Sequence, residues 1–210
     1  MSLIPIRAGR GMPRHCRIIA SVAAVLISGC AREVELPLFE DVTQGSGLEQ
    51  RAGMTHGAAW GDFDSDGRPD VYVTNHLDEP TLFRNLGQGR FADVTEQLFT
   101  GDELEDDKHG AAWADFDNDG RQDLVQLTGA MRGVGAEAKR LYRNDGGQFT
   151  EVAQAMGLLN PEGRTRMPLW FDLDRDGRLD LFQGADARLD ATTPPFLFLQ
   201  GQAGFSPSGS

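Results

Sequence analysis

Twelve aspartates stand in three groups with one spacing: Asp62, Asp64, Asp66 and Asp70; Asp115, Asp117, Asp119 and Asp123; Asp172, Asp174, Asp176 and Asp180. Each group fills positions 1, 3, 5 and 9 of a loop whose sixth residue is Gly67, Gly120 or Gly177. Alternating carboxylates on a tight turn converge on one point, and the glycine permits the positive backbone dihedral that turns the chain. Position 7, which is Arg68, Arg121 or Arg178, is placed to offer its backbone carbonyl. Four carboxylates, a carbonyl and water approach the roughly six to eight oxygen ligands that Ca2+ takes. Without a cation the carboxylates would repel and raise one another's pKa values. The chemistry implied is the binding of about three calcium ions, one per loop. A plain solvated turn also favours Asp and Gly, but it does not explain the same four-acid spacing three times over. An EF-hand would need a bidentate acid at position 12 and a helix after the loop. Position 12 is Val73, Gln126 or Gln183, followed by strand formers, which excludes it.

The elements that must carry these loops repeat with them. His56-Gly-Ala-Ala-Trp60 precedes the first loop, His109-Gly-Ala-Ala-Trp113 the second, and Met167-Pro-Leu-Trp170 the third. The loop starts lie 53 and 57 residues apart, as read from Asp62, Asp115 and Asp172. An apolar strand follows each loop, at Val71–Thr74, Leu124–Leu127 and Leu181–Gln183. Leu82-Phe-Arg-Asn85 then leads through Gly87 and Gly89 to Phe91–Thr95, and Leu141-Tyr-Arg-Asn144 leads through Gly146 and Gly147 to Phe149–Val152. The third copy, Leu197–Gln200 to Phe205, is the weakest. Each unit reads as four short strands with Gly-, Asn- and Asp-rich turns, the pattern of a β-propeller blade. The expected fold class is all-β, with about three four-stranded antiparallel blades spanning residues 38–205 and a tail at 206–210. Phe39–Thr43 matches Phe91–Thr95 and is expected to serve as a closure strand. Propellers close with about four to eight blades. Three imply a fragment or truncated relative of a longer protein, an assembly of two chains, or an open arc.

The first residues form a separate segment. Arg7, Arg10, Arg14 and Arg17 precede an apolar run from Ile18 to Ile27, followed by Ser28-Gly29-Cys30. A basic start, an apolar run of about 7–15 residues and small residues at the end define an export signal, here residues 1–29. Leu26–Cys30 resembles the lipobox of bacterial lipoproteins, which implies a lipidated Cys30, a tether over residues 30–37 and a cell-surface or outer-membrane location. The two cysteines, Cys16 and Cys30, lie in or at the end of this segment, so no disulfide is expected in the repeats.

The full chain has a formal net charge of −12, and removing the four leader arginines takes it to −16. Such acidity disfavours nucleic acid and anionic membrane surfaces as partners. Twelve of the 32 acids sit in the three loops. His56 and His109 hold equivalent places, six residues before the first aspartate of their loops, and are assigned to hydrogen bonding at the start of an inner strand. Arg166 stands near that place in the third unit, and His76 carries no signal of its own. Trp60, Trp113 and Trp170 are expected to pack between blades. No Gly-x-Ser-x-Gly elbow or catalytic cysteine is present, so an enzyme is not expected. The segments Gly101–Asp107 and Gly129–Lys139 are the longest loops and the expected recognition surface.

The stretches HGAAWGDFDSDGRPDVYV, LFRNLGQGRF and FADVT resemble FG-GAP or VCBS repeats, the blade type of integrin α-subunit propellers and many bacterial surface proteins. The resemblance implies that the carboxylates of Asp62, Asp64, Asp66 and Asp70, with their counterparts, are metal ligands. It implies a calcium-binding surface module that meets an extracellular protein or glycan. The alternative is a subunit or fragment of an enzyme acting on extracellular polysaccharide.

Overall fold

The computed structural model describes residues 39–50, 54–76, 78–99, 107–129, 139–158, 163–186 and 195–208. The expected leader, Cys30 and its tether lie outside these residues, as does most of the Gly101–Asp107 and Gly129–Lys139 loops. Residues 40–210 form one compact unit.

Three antiparallel sheets of four strands follow one another along the chain. The first blade is β1 (Thr55–Gly61), β2 (Asp70–Asn75), β3 (Thr81–Gly87) and β4 (Arg90–Asp93). The second is β5 (Lys108–Ala114), β6 (Asp123–Thr128), β7 (Arg140–Asn144) and β8 (Phe149–Glu151). The third is β9 (Thr165–Phe171), β10 (Asp180–Ala185), β11 (Phe196–Gly201) and β12 (Gly204–Pro207). Each strand pairs with its sequence neighbour, so every blade is a simple meander. The turn closing β3 onto β4 has positive φ at Gln88 (56°) and Gly89 (70°), the backbone that a tight hairpin requires. The third blade, weakest in sequence, is complete: Gln200 pairs with Phe205 and Phe198 with Pro207.

The core lies between blades. Phe63, Tyr72 and Leu82 of the first blade meet Phe99, Leu124, Tyr142 and Phe149. Val125, Leu127 and Leu141 of the second meet Leu158, Leu181, Phe198 and Phe205. Each of these large side chains contributes about 1.5–3 kcal/mol by leaving water. Blade-on-blade packing also explains why β6 is buried along its whole length, with polar Asp123, Gln126 and Thr128 included. Leu158, which follows the turn after β8, belongs to the second of these cores. A short helix, α1 (Thr95–Leu98), which the sequence pattern did not reveal, delivers Phe99 into the first of these clusters. Phe99 stacks on Phe149 at 4.8 Å between ring centroids.

The glycine after each inner-strand histidine has a packing reason. A Cβ on Gly57 would sit 2.9 Å from the His109 carbonyl oxygen, and one on Gly110 would fall on the Arg166 carbonyl oxygen. The inner strands β1, β5 and β9 therefore approach backbone to backbone.

Two expectations are corrected. Residues 39–43 form no strand; the turn after them docks instead, with the Phe91 amide donating to the Ser46 carbonyl at 2.6 Å. All three sheets already contain their own fourth strand, so none offers Phe39–Thr43 an edge to complete. Trp60 is 58% exposed, whereas its counterpart Trp113 packs against the aromatic cluster and donates from its indole to the Ala59 carbonyl at 3.0 Å. Trp113 faces a preceding blade; Trp60 has no such blade beside it among the described residues.

Candidate metal centres

The acidic loops run from the end of each inner strand, β1, β5 or β9, to the start of the next, and their backbone follows one design. In the first, the amides of Asp66 and Gly67 donate to the two oxygens of Asp62 at 3.0 and 2.9 Å. The second and third repeat this, with Asp119 and Gly120 on Asp115, and Asp176 and Gly177 on Asp172. Position 3 accepts from the position-5 amide in all three loops. Gly67, Gly120 and Gly177 take φ of 84°, 86° and 86°. Position 4 is also left-handed, at Ser65 (58°), Asn118 (60°) and Arg175 (63°). Two consecutive carboxylates are thereby turned inward on either side of a left-handed residue.

The ninth-position aspartates are fully buried and hold the loop to its blade. Asp70 accepts from the Phe63 amide at 3.2 Å and from the Asn85 amide at 2.7 Å. Asp123 accepts from Phe116 and Asn144, and Asp180 from Leu173 and Gln200. Burial drives the Asp70 carboxyl up to about 6 despite these donors, helped by the charges of Asp64 and Asp66. Burial raises Asp123 further, to about 7, and raises Asp117 as well.

Carboxylate oxygens from Asp62, Asp64 and Asp66 lie within 4.8 Å of one another, as do those of Asp115, Asp117 and Asp123, and of Asp172, Asp174 and Asp180. The first loop thus gathers positions 1, 3 and 5, and the other two gather positions 1, 3 and 9. Each seventh-position arginine engages the loop through its side chain. Its guanidinium pairs with the position-5 aspartate, Arg68 with Asp66, Arg121 with Asp119 and Arg178 with Asp176. Its Nε donates to the third strand of the blade, at Asn85, Asn144 or Gln200 carbonyls over 2.9, 2.6 and 2.8 Å. The sequence pattern did not reveal this clamp. Arg84 adds a further cation in the first loop, its Nε 2.6 Å from Asp64 Oδ2.

These donors fit a hard divalent cation. The converging atoms are all oxygens, the class that calcium selects. Three carboxylates in each loop face one point. Carboxylates raised in pKa by burial and by their neighbours would regain their charge on meeting a cation.

Neighbouring blades brace the loops. Asn144 Nδ2 donates to the Phe63 carbonyl of the first loop at 2.7 Å, and Gln122 Oε1 accepts from the Asp62 amide at 2.8 Å. Gln200 Nε2 repeats the first contact one blade on, with the Phe116 carbonyl at 3.0 Å. At the other end of the inner strands, His56, His109 and His76 come together, although His76 stood alone in sequence. Burial lowers the His109 imidazole to about 4, with the Arg166 charge acting in the same direction.

Residues 62–125 match the model of the FG-GAP-like repeat. The chain is similar to cartilage acidic protein 1 of Mus musculus, 27% identical over 175 residues that cover 80% of this chain and 26% of the relative. The Homo sapiens protein of that name is also 27% identical, with 80% and 25% covered, and the Xenopus tropicalis protein is 29% identical, with 68% and 22% covered. The chain spans about a quarter of the length of these relatives. The matched repeat, the blade meander and the thrice-built acidic loop agree with one another, and residues 62–125 are similar to an FG-GAP-like repeat.

Proposed function

We propose that this chain is an exported, lipid-anchored calcium-binding module whose blades present a surface to an extracellular protein or glycan. The observation that carries the reading is the convergence of three carboxylates in each of three loops on one backbone plan. Asp62, Asp64, Asp66 and Asp70 would hold the first ion, Asp115, Asp117, Asp119 and Asp123 the second, and Asp172, Asp174, Asp176 and Asp180 the third. The carbonyls of Arg68, Arg121 and Arg178 would add to these sets. Bound calcium would offset much of the loops' negative charge, and so stiffen the ends of the inner strands from which they extend. Export and anchoring through Cys30 rest on the leader motif, and similarity to cartilage acidic protein 1 supports a repeat module. The role proposed is binding rather than catalysis.

Calorimetric titration of the full chain with calcium tests this. Three ions per chain are expected, and Asp117→Ala should remove one and leave two. A stoichiometry below two for the unmodified chain refutes the loop assignment.

A further inference from the structure

The three histidines brought together by the fold come from separate places in sequence. His56 is the second residue of β1, His109 the second of β5, and His76 follows β2. His56 and His109 have their Nδ1 atoms 3.1 Å apart, and the His56 and His76 rings stack at 4.5 Å. A nitrogen from each of the three lies within 4.8 Å of the others. Asp107 joins them, its Oδ1 2.5 Å from His76 Nδ1 and 2.9 Å from His109 Nε2. It is held there by pairing between His76 and Asp107 and by the Gly129 amide donating to the Asp107 carbonyl at 2.7 Å.

Three features set this cluster apart from ordinary strand-start histidines. His76 Nδ1 is buried, and its partner there is the buried Asp107 carboxylate. The space is kept clear by a glycine: a Cβ on Gly129 would meet Asp107 Oδ2 at 2.6 Å and fall on His109 Nε2. One ring already faces a cation, with Arg166 Nη1 2.5 Å from His109 Nδ1 and 2.8 Å from Nε2, so a metal would have to displace that guanidinium. Arg166 is itself held by Asp186 at 2.6 Å.

We propose that His56, His76 and His109, with Asp107, form a site for a divalent transition metal of the zinc or copper class. Imidazole nitrogens with one carboxylate suit such ions, whereas calcium takes oxygen ligands. The site is separate from the acidic loops, at the opposite end of β1 and β5, roughly 20 Å away along a seven-residue strand.

The test uses the full chain saturated with calcium and titrated with Zn2+ by calorimetry, with Cu2+ electron paramagnetic resonance on a parallel sample. One tight equivalent is expected, and the copper spectrum should show coupling to nitrogen. His56 is exposed, so His56→Ala should fold normally, with calcium stoichiometry unchanged, and weaken zinc binding at least tenfold. His76→Ala should do the same. Absence of zinc binding at micromolar concentration overturns the proposal, as does an equivalent whose affinity survives both substitutions, which would place the ion elsewhere. Failure of the calcium titration alone would leave this result standing, because the two sites share no ligand.

Discussion

Calcium binding to the second loop should be strongly pH dependent, and more so than binding to the first. Asp123 is raised to about 7 and Asp70 to about 6, chiefly by burial, so a proton competes with the metal at each. Between pH 7 and pH 5, an acid of pKa 7 weakens a competing cation by about 50-fold, and one of pKa 6 by about tenfold. Residues 117–120 of the second loop are exposed to water, which screens the charge. Retaining half of the free energy leaves about sevenfold for the second loop and about threefold for the first. At pH 6, Asp123 still carries its proton most of the time and Asp70 about half of the time, so calcium must expel protons there. Titration at pH 5, 6 and 7 in buffers of different ionisation enthalpy reads both the affinity and the protons released. Binding is a cleaner readout than melting. The raised carboxyls stabilise the metal-free fold below their unfolded pKa near 4, and that contribution is lost as pH rises through 6 and 7. His109, lowered to about 4, works the other way: stability lost at low pH returns as pH rises from 4 towards 6.5. The two trends overlap between about pH 4 and 6.5 and partly cancel in a melting temperature. Affinity equal at pH 5 and pH 7, with enthalpy independent of buffer, would refute the reasoning.

Two further outcomes follow from backbone geometry. Gly110→Ala should cost about 1–3 kcal/mol or more in urea denaturation, because its methyl group would occupy the Arg166 carbonyl across the β5–β9 contact. Gly147→Ala, which meets nothing within 4 Å, should stay within about 0.5 kcal/mol, and equal costs for the two would count against the blade packing. Arg175→Asn should stabilise by roughly 0.5 kcal/mol, and Asn118→Arg should destabilise by as much, since both positions are left-handed and asparagine tolerates that region.

The sequence pattern revealed what is local and periodic. The loop spacing, the strand after each loop and the meander of four strands all lie within about fifty residues of one another. What it missed depends on contacts between units. Asn144 lies in a repeated block, but its partner, the Phe63 carbonyl 81 positions away, is visible only in the fold. His76 had no counterpart in the repeat until the fold set it beside His56 and His109. The left-handed residue at position 4 escaped notice because Ser65 and Arg175 are not typical of that backbone, and only Asn118 is. Phe39–Thr43 misled because a strand sequence is not a strand without a neighbour to bond.

The amides of Asn144 and Gln200 give the array a direction. Each reaches back from one blade to the loop before it, so the shape of a loop depends on whether the following blade is folded. An ion entering the first loop would then sense the state of the second blade, and one in the second loop that of the third. Such nearest-neighbour coupling makes a repeat protein behave like a row of linked switches rather than a set of independent ones. Occupancy should therefore spread along the chain, and its loss should begin at whichever loop has the weakest neighbour behind it.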